Sequence, residues 1–89
     1  MKMLVRFSKA GPRYYLRPIP DLRNDELYGK QVRVVVYSPA GERYTFIGRI
    51  GKYPGKSAYG YVIYVKHRQF PSFDKFLGET WEAEVEVVQ

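Results

Sequence analysis

Residues 2–17 read KMLVRFSKAGPRYYLR, and this stretch decides the fold class. Met3, Val5 and Phe7 alternate with Lys2, Leu4 and Arg6, the period of a strand with one apolar face. Ala10–Gly11–Pro12 is a turn signal. Beyond it the alternation resumes, with Arg13, Tyr15 and Arg17 on one face and Tyr14 and Leu16 on the other. Pro18 and Pro20 each lack a ladder donor, so the second strand is expected to end at Arg17.

Working outward, the pattern changes between Pro20 and Tyr28. Pro20 suits a first helical turn, and Asp21 lies early, where the helix dipole favours an acid. Leu22, Glu26 and Leu27 fit a short helix, with Gly29 as its stop. Gln31–Ser38 is a β-branched strand and Pro39–Ala40–Gly41–Glu42 a turn. Then the order starts again. Arg43–Ile50 reads as a strand, Gly51–Gly60 as a glycine-rich turn and Tyr61–Lys66 as a strand. Phe70–Leu77 is a second short helix, between Pro71 near its start and Gly78 at its end. Thr80–Val88 closes the series, with Trp81, Ala83, Val85 and Val87 facing away from Thr80, Glu82, Glu84 and Glu86.

The two halves superpose. Arg6–Phe7–Ser8–Lys9 falls on Arg49–Ile50–Gly51–Lys52, and Tyr15–Leu16–Arg17 on Tyr64–Val65–Lys66. Asp25 falls on Asp74, Leu27 on Phe76, Gly29 on Gly78 and Val36 on Val85. A two-stranded ribbon with one short helix is marginal alone, so the halves must share a core. The reading is one mainly-β domain over residues 1–89, made of half-repeats 1–41 and 42–89. Two interlocked ββαβ units give a six-stranded closed barrel with no open edge and two short helices plugging its ends.

The 89 residues hold 15 Lys+Arg against 9 Asp+Glu, a formal charge of +6. Charge of that size on so small a body attracts polyanions. Placement sharpens this. Residues 1–20 hold Lys2, Arg6, Lys9, Arg13 and Arg17 and no acid; residues 43–73 hold Arg43, Arg49, Lys52, Lys56, Lys66 and Arg68 and no acid. The acids gather at Asp21, Asp25 and Glu26 and at Glu79, Glu82, Glu84 and Glu86. The chain has no cysteine, which excludes disulfides and thiolate metal sites and fits a reducing cytoplasm. No apolar leader follows Met1–Lys2, and no apolar run is long enough to span a bilayer, so a cytoplasmic protein with no membrane partner is expected.

Enzyme chemistry finds no support. Gly51–Lys52–Tyr53–Pro54–Gly55–Lys56–Ser57 has the look of a phosphate loop, but Ile50 stands where the first glycine is needed and a strand follows instead of a helix. Glu82, Glu84 and Glu86 share a strand face, better matched to a basic neighbouring strand than to a metal. His67 is the lone histidine, with no second ligand of its kind and no nucleophile elbow to serve. No metal or cofactor is expected. Among nine tyrosines most are expected to pack their rings on the core. Tyr53 and Tyr59, in the long turn beside Lys52 and Lys56, are the candidates for base stacking.

Val5–Arg6–Phe7–Ser8–Lys9, Gly11, Arg13–Tyr14–Tyr15–Leu16, Ile19–Pro20, Asp21–Leu22–Arg23, Gly29 and Val32–Arg33–Val34 occur in the order of a known pattern. With these parts, Val5–Val36 resembles the DNA-binding domain of the AbrB/MazE/SpoVT family. The likeness implies a swapped-hairpin barrel, or the related double-psi form, here with both halves in one chain instead of two. Residues 43–87 match more loosely: His67–Arg68–Gln69 stands where the Ile-Pro step belongs. In the first half an extra residue near Arg17–Pro18 precedes that step. The resemblance implies DNA contacts at Arg6, Arg13 and Arg23.

Arginine and lysine along a phosphate track give salt-sensitive affinity by counterion release, and arginine also reads guanine edges. The expected contact set is Arg6, Lys9, Arg13, Arg17, Arg23, Arg49, Lys52, Lys56, Lys66 and Arg68. Twofold symmetry is expected to gather the hairpin cations into one patch on duplex DNA, as in a small transcription regulator or chromatin-type protein. The alternatives are an RNA-binding ribonucleoprotein component and an antitoxin-like interaction module. A monomeric pseudo-dimer and a homodimer both fit.

Overall fold

Six strands form: β1 (Lys2–Ala10), β2 (Arg13–Ile19), β3 (Gln31–Tyr37), β4 (Arg43–Lys52), β5 (Tyr61–Val65) and β6 (Thr80–Val87). They belong to a computed structural model that describes residues 1–57 and 59–89; Ala58, within the expected 51–60 turn, lies outside the described residues. The strands close into a barrel in the order β1-β2-β5-β4-β3-β6, with every neighbouring pair antiparallel. Alternation sends one face of each strand inward. Val5, Phe7, Leu16, Val32, Val34, Val36, Phe46, Ile50, Ile63, Val65, Trp81, Ala83 and Val85 fill the interior. Each fully buried large aliphatic contributes about 1.5–3 kcal/mol. Among the described residues no helix is long and apolar enough to cross a membrane.

The halves are interlocked as expected. β3 pairs with β4 and β6, both from the second half, and β6 pairs with β1 and β3, both from the first. Exchanging β1 with β4, β2 with β5 and β3 with β6 maps the β1–β2 ladder onto β4–β5 and the β1–β6 ladder onto β4–β3, and carries β2–β5 and β3–β6 onto themselves. The pair Val5↔Trp81 becomes Gly48↔Val32, and Phe7↔Leu16 becomes Ile50↔Ile63. The equivalence reaches side chains. The Tyr14 hydroxyl donates to Asp74 Oδ2 at 3.1 Å, and the Tyr61 hydroxyl donates to Asp25 Oδ1 at 2.5 Å. Gly29 N donates to Ile50 O at 2.8 Å, as Gly78 N does to Phe7 O at 2.8 Å.

These registers correct one part of the expected superposition. Leu16 corresponds to Ile63, and Arg17 to Tyr64; Tyr15–Leu16–Arg17 does not fall on Tyr64–Val65–Lys66. A slip of two residues keeps every side chain on its face, so alternation alone cannot detect it. β2 also runs past Arg17, with Pro18 paired to Val5 and buried. The β2–β5 ladder covers only Tyr14–Leu16, which leaves β2 one-sided at Pro18, where a proline is tolerated. β4 extends two residues beyond the expected Ile50, to Lys52.

The two expected short helices are replaced by single 3-10 turns at Asp25–Leu27, His67–Gln69 and Phe73–Phe76. Segments this short cannot offset helix nucleation, and local side-chain bonds compete. Asn24 Oδ1 accepts from Glu26 N at 3.0 Å and holds the first turn. In the second half Phe70 and Phe73 are buried and Phe76 is half-buried, and together they plug one barrel end around Phe7. Phe7 lies 5.8 Å from Phe70, 4.9 Å from Phe73, 5.8 Å from Phe76 and 4.7 Å from Trp81, ring centre to ring centre.

Gly29 and Gly78 have φ of 79° and 86°, the left-handed region. A Cβ at Gly29 would meet no atom within 4 Å, so the cost of a side chain there is backbone strain alone. Gly29→Ala is expected to destabilise the barrel by about 1–2 kcal/mol. Thermal unfolding followed by circular dichroism should show a Tm lower by roughly 5–15 °C.

Candidate nucleic-acid interface

The outward face of β4 and β5, with the end of β2, forms the floor of an open groove of about 960 Å³. Tyr14 pairs with Val65, so Arg13 and Lys66 stand side by side at the end of that ladder. The turn after β5 adds His67 and Arg68, and β4 adds Arg49 and Lys52. Tyr28 forms the opposite lip with Gly29. No aspartate or glutamate lines the groove.

Five of the ten expected contact residues meet here: Arg13, Arg49, Lys52, Lys66 and Arg68. None of the five has a carboxylate within 4.0 Å among the described residues. Arg49 Nη1 donates to Gly29 O at 2.7 Å, which fixes its guanidinium at the lip.

The other five lie elsewhere. Lys9 approaches Asp74 at 3.8 Å, and Arg17 and Arg23 approach Asp21 at 4.0 and 2.9 Å. Arg6 is the cross-strand neighbour of Arg17 on β1, outside the groove. Lys56 is exposed in the 53–60 turn, also outside it. One twofold patch uniting both hairpins therefore does not form. At the position equivalent to the groove the other half presents Asp21, which ties up two of its arginines.

Tyr53 lines the groove and Tyr59 is exposed, and each ring already has a neighbour. Tyr53 packs edge-on against Tyr59 at 4.8 Å and against Tyr15 at 5.9 Å, and the Arg17 guanidinium lies over Tyr59 at 4.6 Å. Tyr15 is buried beside Tyr53, and Val62, outward on β5, is buried as well. The acids of β6 face a basic neighbour, as their alternation suggests: Glu86 pairs with Arg33, and Glu84 lies 4.0 Å from Lys2. In the ring of six strands β6 stands opposite β5, so these paired glutamates lie across the barrel from the groove.

No protein family, curated protein or solved structure matches the chain. The site is thus read from its own residues. The groove residues outside the expected contact set include Tyr64, Tyr28 and His67. For Tyr64 a signal existed, since Ile63 and Val65 are the inward phase of β5 and Tyr64 must point out. His67 sits 5.1 Å from the Tyr14 ring, with Nε2 3.4 Å from Asp74 Oδ2.

The tyrosines also set an alkaline limit. Burial pushes the Tyr15 and Tyr64 hydroxyls above their ordinary value, with Arg13 pulling Tyr64 partly back. The hydrogen bond to Asp25 raises Tyr61. A raised value means that the fold favours the protonated phenol. That stability is complete below the unfolded value of about 10 and is lost as pH rises through the folded values. Urea midpoints are expected to hold up to about pH 9 and fall above about pH 10, with a shallower fall in Tyr61→Phe. An equal fall in that variant would remove Tyr61 from the account.

Proposed function

We propose that this protein binds nucleic acid and holds a phosphate track in the β4–β5 groove. One observation carries the reading: five cations without carboxylate partners share one groove that no acid lines. Unpaired charges in a concave site attract a polyanion strongly, because field lines are focused there and counterions are released. The matched registers of the two halves further support a fused pair of half-barrels, of the kind the AbrB/MazE/SpoVT likeness suggests. A role in transcription regulation or in a ribonucleoprotein would draw on the same groove.

Fluorescence anisotropy with labelled DNA and RNA, single-stranded and duplex, tests the reading. Binding is expected near 50 mM salt, weakening by about tenfold or more near 200 mM. No binding to any probe at the lower salt removes nucleic acid from the account and leaves an acidic protein as the partner.

A further inference from the structure

We infer that the groove takes single-stranded nucleic acid, with an unpaired base stacked on the Arg13–Tyr64 pair. This rests on the nucleic-acid reading above and names the form of its ligand. Tyr64 lies flat against β4 because position 51 is a glycine. A Cβ there would stand 3.0 Å from Tyr64 Cε2. The ring is also held at its tip, where the hydroxyl donates to Lys52 O at 2.5 Å. Above it the Arg13 guanidinium lies 4.0 Å from the ring centre. A ring fixed on one face and at its tip, with a planar cation above, has little freedom left to lose when a base stacks.

The surroundings suit the backbone of the same ligand. Lys66 follows the β2–β5 ladder beside Arg13, Lys52 Nζ lies 6.0 Å from the Tyr28 ring centre, Arg49 is held at Gly29 O, and Arg68 lines the same groove. Tyr28 is 52% exposed and offers a second ring at the far lip. Alternating aromatic faces and cations are what a strand with splayed bases requires.

A duplex fits this face poorly. Its base edges are reached by an element that protrudes into a groove about 12 Å wide. Here the surface is recessed, and the described residues include no α-helix. Phosphates of a duplex could meet the cations, but its bases are already stacked and paired and cannot also lie on the Arg13–Tyr64 pair, whose Arg13 is exposed. A single strand lowers its bases into the recess while its phosphates follow the cations.

The test uses the full chain and anisotropy with four probes of about ten nucleotides, within the site size of such grooves. They are a thymidine oligomer, a uridine oligomer, an abasic deoxyribose-phosphate oligomer and a duplex. The thymidine or the uridine oligomer is expected to bind about tenfold or more tighter than both the abasic oligomer and the duplex. The tighter of the two tells DNA from RNA as the natural strand. Arg13→Lys keeps the charge but not the plane, so it should lose most of that preference while the salt slope stays unchanged. Arg13 is exposed, and the substitution leaves the core intact. Equal binding of the abasic oligomer, tighter binding of the duplex, or an unaffected Arg13→Lys overturns the single-strand assignment. Silence from all four probes at low salt overturns the nucleic-acid reading itself, so the two failures are told apart.

Discussion

Lys52→Ala, Lys66→Ala and Arg68→Ala together are expected to weaken binding of a single-stranded oligonucleotide by more than about a hundredfold near 50 mM salt. Each phosphate contact on a single strand contributes about 0.7 to the slope of log affinity against log salt. Removing three should make that slope shallower by about 2, and the loss in affinity should shrink as salt rises. All three side chains are exposed, and none has a carboxylate partner within 4.0 Å among the described residues, so the Tm should hold. A matched control removes Lys2, Lys56 and Lys75, which lower the net charge equally but lie outside the groove. If the control loses as much affinity as the triple variant, net charge explains the binding and the groove does not.

The second large effect concerns the fold. Phe7→Ala is expected to cost about 3–5 kcal/mol. That is a large part of the stability of a small domain, which is commonly about 5–15 kcal/mol. Four rings of the second half, Phe70, Phe73, Phe76 and Trp81, surround this one side chain of the first. They come from the Phe70–Phe76 plug and from β6, which its ladders to β1 and β3 hold in place, so they cannot close fully on the space a smaller side chain would leave. The Tm should fall by more than about 15 °C in differential scanning calorimetry. Ile50 holds the equivalent place in the other half without such a ring cluster, and Ile50→Ala should cost less. Equal costs at the two positions would deny the aromatic plug its special weight.

How far the sequence could be read follows from what each stretch reports. Strand alternation in 2–17 and 80–88 is plain because one face of each strand meets water and the other the core. From those stretches and the restart at Arg43 the closed six-stranded ring was within reach. At Asp25–Leu27 and Phe73–Phe76 the sequence does not separate a short helix from a 3-10 turn, since leucine and phenylalanine spaced for a helix suit an end plug equally well. The site was legible only as a set. The acid-free stretches hold all five groove cations, but sequence distance says nothing of which ones share a groove. Arg13 meets Lys66 because β2 pairs with β5, a non-local ladder. Lys9, Arg17 and Arg23 fall out because Asp74 and Asp21 reach them in space. Tyr53 and Tyr59 stand in a polar turn, where sequence cannot show that Tyr53 meets Tyr15 and that Tyr59 meets the Arg17 guanidinium.

The place of β6 between β1 and β3 carries a cost during synthesis. A chain leaving the ribosome can form the β1–β2 and β3–β4 hairpins early, yet β1 and β3 each keep one bare edge until Thr80–Val87 has been made. At about 5–20 residues per second that wait lasts some seconds. During it Val32–Val36, a β-branched run, offers its open backbone to any other extended chain. A message broken before the codon for Thr80 would therefore yield adhesive fragments with two unsealed edges, where a protein built from self-sufficient halves would release one half already folded.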